Sequence, residues 1–381
     1  MSESLYSSPE HQLFRETVRK FVEQELRPRA REFDEMGRID TSLYRKMGDL
    51  GMLGVRYDPA YGGSGLDWSF SALMHEELGR CDNAGVATGI GVQTDMATPS
   101  LHRFGTEELK QKYLVPAIAG EMVTAIAVTE PDAGSDVSRI KTRAVRDGDD
   151  WVINGSKLYI TNAATADWLC LLAVTDPDAG YGGFSQIVVP TDVEGFRYEL
   201  LEKIGVWGSD TGQLFFDDVR VPVSNTIGEI GRGFHQQMMQ FQDERLVVCV
   251  STISSASYVW EQTREWAEQR ILFGRPLSKM QVTQFKFVDM LTQLTAAREL
   301  INACVRKLVA GEDATQMISM AKVFCCRTAF EVADECVQLH GGYGYMKESA
   351  AGRAFVDTRI ACIGGGSDET MKQYLARQLG L

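Results

Sequence analysis

One stretch divides this chain: residues 125–136, reading Ala-Ile-Ala-Val-Thr-Glu-Pro-Asp-Ala-Gly-Ser-Asp. Before it the sequence reads as helix; after it come strand-like segments, then helix again to the end. Apolar, partly β-branched side chains from Met122 to Val128 suit a buried strand. Pro131 and Gly134 then force an irregular loop, which Thr129, Ser135 and the carboxylates line with polar groups. A chain that changes period twice in this way points to an α+β fold with an inserted β unit.

The flanks carry their own punctuation. Ser8-Pro9-Glu10 is a helix start, Phe14, Val18, Phe21 and Val22 follow at helical spacing, and Pro28 closes the pattern. Further helices are expected over 41–50, 68–80 and 106–116, so residues 1–120 form a helical unit. Within 121–227, Asn154-Gly155 signals a type I′ turn between two strands, and more strands are expected at 168–174, 184–189, 196–200 and 213–216. Short strands at this spacing make a small β-barrel or sandwich. From 228 to 381 long antiparallel helices imply a four-helix bundle, one of them running from Thr283 through Ile301, Val305 and Leu308 to Gly311.

Composition narrows the partners. Lys plus Arg number 39 against 52 Asp plus Glu, a net charge of -13, which argues against a nucleic-acid or anionic-membrane surface. Eight cysteines are scattered without a C-x-x-C pair, and His340 lacks companions at ligand spacing, so no metal site and no disulfide framework are indicated. Reduced thiols, no leader-like N-terminus and no apolar run of membrane length lead to the expectation of a cytoplasmic protein. Gly228-Glu-Ile-Gly231-Arg-Gly233 follows no strand of a βαβ unit, so no Rossmann domain is expected.

The order V-T-E-P-x-A-G-S-D at 128–136 resembles the flavin-binding signature of the acyl-CoA dehydrogenase family. The likeness continues in the family's order through Tyr61-Gly-Gly-Ser-Gly, Asn154-Gly-Ser-Lys-Leu-Tyr-Ile-Thr, Gly208-Ser-Asp-Thr, Phe216–Pro222, Arg270-x-x-Phe273-Gly274 and Gln338-Leu-His-Gly341-Gly342. It implies FAD held by Ile126, Val128, Thr129, Gly134, Ser135, Tyr159 and Thr161. Tyr159 stands where the family often has Trp, and serves as a flat wall for the ring. The resemblance adds Arg270, Phe273, Gln281, Gln338, Gly341 and Gly342 toward the cofactor of a neighbouring subunit, with Ser367 and Glu369 near the flavin. A guanidinium fork at Arg270 suits a pyrophosphate. So divided a site implies a homo-oligomer, a tetramer in the family's manner, and an electron-transferring flavoprotein as redox partner.

The reaction implied removes a proton α to a thioester carbonyl while hydride leaves the β carbon, so a desolvated carboxylate base is required. Most of the family carries it in a C-terminal Y-E-G-T motif. Here that run is Ile363-Gly364-Gly365-Gly366-Ser367, and Gly365 has no carboxylate. Long-chain and isovaleryl members carry it on a helix just before an arginine, and Glu244-Arg245 stands there. Glu244 is therefore expected as the base, with Asp243 and Asp368 as fallbacks. Ser135, Phe241, Arg245 and Gly365 are expected at the acyl-CoA. The three glycines suggest room for a medium-to-long or 3-methyl-branched chain such as citronellyl-CoA, as in fatty-acid, terpenoid or branched amino-acid catabolism. Rival readings are a flavin oxidase or monooxygenase on the same fold, an acyl-carrier-protein-linked dehydrogenase, and a non-catalytic helical scaffold.

Overall fold

Ser8 accepts the His11 backbone N–H on its hydroxyl and Pro9 occupies the first turn, so the first helix starts where the sequence places it. The computed structural model describes residues 5–381, and the first four lie outside the described residues. The helices that follow are α1 (Pro9–Phe21), α2 (Ala30–Met36), α3 (Ser42–Asp49), α4 (Trp68–Leu78), α5 (Ala84–Gly91), α6 (Thr98–Phe104), α7 (Glu107–Leu109) and α8 (Val115–Ile118). Pro28 does not close the first helical stretch. The α-helix ends at Phe21, a π-helical turn covers Val22–Leu26, and a 3-10 turn at Arg27–Arg29 absorbs the proline before α2 resumes. Val18, Phe21 and Val22 face a core shared with Leu43, Tyr44 and Met47 of α3.

Eight strands come next: β1 (Thr124–Ala127), β2 (Arg143–Asp147), β3 (Asp150–Thr161), β4 (Trp168–Val174), β5 (Phe184–Pro190), β6 (Phe196–Leu200), β7 (Thr211–Pro222) and β8 (Thr226–Ile227). They form one sheet in the order β6-β7-β3-β2-β4-β5-β8, with β1 parallel to β4. Side chains from β3 and β7 share a core with those of β4 and β5, and the Trp151 indole N–H of β3 reaches the Thr226 hydroxyl of β8 at 3.0 Å. The sheet therefore curves over its own apolar face, as a small sandwich does.

The turn expected at Asn154-Gly155 is absent. β3 continues through both residues, with a register shift against β7 between Ile153 and Gly155, and the turn lies at Gly148-Asp149, between paired Asp147 and Asp150. Gly155 answers a different need: a Cβ there would stand 2.6 Å from the Thr142 hydroxyl and 2.7 Å from its Cα. Close approach of Thr142, just ahead of β2, rather than a reversal, excludes a side chain.

Beyond the sheet, α9 (Gly233–Gln269) leads to a two-residue hairpin of β9 (Ile271–Leu272) and β10 (Arg275–Pro276). α10 (Gln281–Val309), α11 (Thr315–His340), α12 (Ala350–Ala361) and α13 (Asp368–Gln378) complete the chain. α9, α10, α11 and α12 contribute to one large core, with Leu246, Leu294, Ile318 and Ala354 among its members. Val288 and Leu291, which follow the helical period, lie on the exposed side of α10, and Met290 and Leu294 face inward.

Candidate active site

The signature loop is built around a buried ion pair. Lys157, fully buried on β3, donates from Nζ to the Val128 carbonyl and to Glu130 Oε1, both at 2.9 Å. The Glu130 carboxylate also accepts the backbone N–H groups of Lys141 and Thr142 at 2.6 and 2.9 Å. Burial pushes the Lys157 ammonium down to about 8, against the pull of Glu130. For Glu130, Lys157 and the N–H donors outweigh burial and hold its carboxyl below the usual range. Beside this pair the β3–β7 register shifts between Lys157 and Ile160. In that bulge Leu158 donates its N–H to the Thr129 carbonyl at 2.8 Å, and Tyr159 takes φ +61 with its ring 67% exposed. Thr129 and Tyr159 are thus brought together, with Ile126 behind them on β1 and Thr161 further along β3. Gly134 and Ser135 sit in the exposed part of the loop.

Helix α9 meets this region through Phe241, which packs against the cluster that holds Ile126 and Val128. The Arg245 guanidinium lies 5.7 Å from the Phe241 ring centroid, and its Nε donates to the Gly365 carbonyl at 3.4 Å. Glu244 reaches the same loop. Its Oε1 stands 3.2 Å from the point where a Cβ on Gly365 would be. The carboxylate of α9 therefore occupies the place a residue-365 side chain would take, and Gly365, at φ +63, suits glycine by conformation as well. Burial raises the Glu244 pKa, opposed by Arg245 and Lys322.

This geometry corrects one expectation. The space at Gly365 is not free for an acyl branch, because Glu244 fills it, and a Cβ on Gly366 would meet the Met371 methyl at 2.8 Å. The fallback acids are committed elsewhere. Asp243 points away from the glycine loop to Arg103 at 2.5 Å and Arg56 at 3.4 Å. Arg56 in turn binds Asp95 at 2.8 Å and lies over the Trp68 ring, and Asp95 accepts from His75 Nε2 at 2.7 Å. Asp368 is paired with Arg327 at 2.6 Å.

A second set of expected residues gathers across the bundle. Arg270, Gln338, Gly341 and Gly342 line a groove of about 520 Å³ together with Trp266 and Lys286. A Cβ on Gly341 or Gly342 would meet nothing within 4 Å, so bare backbone faces open space there. His340 stacks on Trp266 at 5.1 Å and donates from Nδ1 to the Cys336 carbonyl. The groove's lining includes none of residues 126–161. Phe273 stands at the tip of the β9–β10 hairpin, 98% exposed, and Gln281 opens α10 on the surface. Ser367 caps α13 by accepting the Thr370 N–H, with Glu369 exposed beside it. Sequence reasoning missed Lys157 as the partner of Glu130, the Arg56–Asp95–Asp243 cluster, and Lys322. Lys322 alone left a trace: it is the one charged residue in the apolar run Ile318–Cys326.

The chain matches the N-terminal domain of acyl-CoA dehydrogenase over residues 8–121, the middle domain over 125–219 and the C-terminal domain over 231–380. It is 36% identical to the mitochondrial long-chain specific acyl-CoA dehydrogenase of Sus scrofa, over 98% of this chain and 87% of that protein. The short-chain specific acyl-CoA dehydrogenase of Clostridium acetobutylicum is also 36% identical, over 97% of this chain and 98% of that one. A solved acyl-CoA dehydrogenase from Geobacillus kaustophilus superposes with a TM-score of 0.96 at 40% identity, covering 99% of both chains. This chain belongs to the acyl-CoA dehydrogenase family, whose members are FAD-dependent oxidoreductases acting on CH–CH donors.

The residues present fit that cofactor. A pinned threonine beside an exposed aromatic ring offers an edge and a wall to a flat heterocycle. Arg270 beside side-chain-free backbone offers a cationic, uncrowded bed for a diphosphate.

Proposed function

We propose that the chain dehydrogenates an acyl-CoA thioester to the trans-2-enoyl-CoA with Glu244 as the base. The observation that carries this is the 3.2 Å between Glu244 Oε1 and the Cβ position of Gly365. In this reading the substrate's α carbon lies against Glu244, which takes the proton. Arg245 holds the loop backbone through the Gly365 carbonyl and turns toward the CoA arm. FAD held at this site would supply the acceptor for the hydride that leaves the β carbon. Thr129 and Thr161 orient its polar edge, Tyr159 covers its side, and Ser135 reaches toward the pantetheine arm. Residue 365 contributes no acid, and Glu244 supplies the carboxylate that its absence would otherwise cost, which speaks against a scaffold without chemistry.

The same reading places FAD where the units 1–120, 121–227 and 228–381 meet. It gives Arg270, Phe273, Gln281, Gln338, Gly341 and Gly342 to the cofactor of a second subunit, with Ser367 and Glu369 near the flavin. What supports a homo-oligomer, a tetramer by resemblance, is that the groove of Arg270, Gln338, Gly341 and Gly342 contains no residue of the signature loop. Eight free, buried cysteines suit a reducing cytoplasm. The electron acceptor is an electron-transferring flavoprotein, and the substrate a medium-to-long or 3-methyl-branched acyl-CoA, for which the helix-borne base is the support.

Glu244→Gln keeps shape and hydrogen bonding but cannot accept the proton. Anaerobic flavin reduction should slow by roughly a hundredfold or more, with FAD content unchanged. A variant that reduces its flavin at the native rate removes Glu244 from the role. Comparing kcat/KM for butyryl-, octanoyl-, palmitoyl-, isovaleryl- and citronellyl-CoA tests the substrate, and a clear optimum at butyryl-CoA sinks that part alone.

A further inference from the structure

Lys322 is fully buried on α11, and its ammonium lies against the glycine loop. Nζ donates to the Ala361 carbonyl at 2.5 Å, at the end of α12, and to the Gly366 carbonyl at 3.1 Å. Its Cε stands 3.7 Å from the Gly365 Cβ position, the same point that Glu244 Oε1 approaches to 3.2 Å. A buried ammonium is costly unless its protons and its charge are both answered. Two carbonyls take two of its three N–H donors, and Glu244 is the acid that faces the same point from α9.

We infer that Lys322 is a positioning residue for the reaction: its ammonium holds the glycine loop around Glu244 and adds to Arg245 a second positive charge that favours the ionised carboxylate. The inference rests on Glu244 being the base. The other charged groups nearby are accounted for. Arg245 on α9 also acts on Glu244, and Tyr374 of α13 acts on Arg245. Asp243 belongs to Arg103 and Arg56, and Asp368 of α13 to Arg327 of α11. The buried thiols Cys249 and Cys326 lie in the field of Lys322, with their pKa values raised well above the usual range by contact with neighbouring thiols and by burial, so they are neutral. Burial raises the Glu244 carboxyl, and Lys322 opposes that rise from α11. Removing the lysine charge therefore moves ionisation of Glu244 to higher pH.

The test uses holoenzyme and two substitutions, Lys322→Gln, which keeps a donor without charge, and Lys322→Arg, which keeps the charge. The Glu244 carboxylic-acid band, identified by its disappearance in Glu244→Gln, is titrated by infrared difference spectroscopy, and flavin reduction by acyl-CoA is followed over the same pH range. In Lys322→Gln both the titration midpoint and the acid limb of the reduction rate should move up by about one pH unit, with the high-pH plateau retained. Lys322→Arg should leave both near the wild-type position. A purely structural lysine predicts instead an equal loss of rate at every pH. An unmoved midpoint in Lys322→Gln, equal shifts in both variants, or failure of both to hold FAD and fold overturns the inference. Native flavin reduction by Glu244→Gln would instead overturn the base assignment, and the infrared midpoints would still report whether Lys322 acts on Glu244.

Discussion

Two fully buried lysines each hold a functional loop, and they do so differently. Lys157 fixes the signature loop as half of an ion pair: Glu130 faces it at 2.9 Å and accepts two backbone N–H groups as well. Lys322 fixes the glycine loop through carbonyls, and Glu244, the acid that faces the same Gly365 position, accepts from none of these donors. The first arrangement is closed, with donors and acceptors matched. In the second a carboxylate is left with its proton-accepting capacity unspent. The same residue type thus builds a rigid support in one place and an uncommitted acid–base group in the other.

The largest effect should come from opening the closed pair. Lys157→Met leaves the Glu130 charge buried without its cation, a loss of about 3–5 kcal/mol in denaturant unfolding. The double variant Lys157→Met with Glu130→Gln should recover part of that loss, since no unpaired charge remains. Destabilisation below about 0.5 kcal/mol in the single variant would show the pair to be dispensable.

Next comes the groove across the bundle, which neither lysine supports. Arg270→Ala removes the guanidinium proposed to meet the cofactor's diphosphate and should weaken FAD retention by about 1.5–3 kcal/mol, read by equilibrium dialysis. A variant that retains FAD as well as the wild type and remains oligomeric would take the cofactor's diphosphate away from Arg270.

Crowding the uncommitted acid is a subtler intervention. Gly365→Ala puts a methyl group 3.2 Å from Glu244 Oε1 at a backbone position of φ +63. The backbone penalty is about 1–2 kcal/mol, and displacement of the carboxylate should slow flavin reduction by about tenfold. The conformation also bears on moving the base to position 365: the exchange Glu244→Gly with Gly365→Glu carries the same backbone penalty. Native rates in Gly365→Ala would mean that Glu244 works from another position.

These contrasts explain which parts of the molecule were legible beforehand. Helix starts and strands announce themselves in adjacent residues, as at Ser8-Pro9 and Trp168–Val174. Glu244 was legible as the candidate base because Gly365 carries no acid and the helix offers one beside an arginine. Asn154-Gly155 misleads because local turn preference says nothing of Thr142, whose approach across the sheet sets the need for glycine. The Asp243 cluster was hidden for a similar reason, since Arg56 and Arg103 come from distant segments of the helical unit. Lys322 stands out in sequence only as the one charged residue of the apolar run Ile318–Cys326, and only the folded loop shows which carbonyls it meets.

The smallest effect carries the sharpest contrast, because the two acids should respond to pH with opposite sign. The folded-state pKa of Glu130 is lowered, so its contribution to stability is present above the ordinary carboxylate range and is lost as pH falls through the folded value. That of Glu244 is raised, chiefly by burial. Between the ordinary value and the raised one the native state binds more protons than the unfolded chain, so stability falls as pH rises through that window. Glu130→Gln should therefore destabilise at neutral pH, with the deficit shrinking in acid. Glu244→Gln should stabilise by about 1 kcal/mol at neutral and higher pH, where an ionised acid no longer has to be kept partly buried, with the gain fading as pH falls. Urea unfolding of both variants at saturating FAD from mildly acidic to mildly alkaline pH reads the two trends side by side. Parallel curves for the two variants would remove the distinction between a paired and an uncommitted acid.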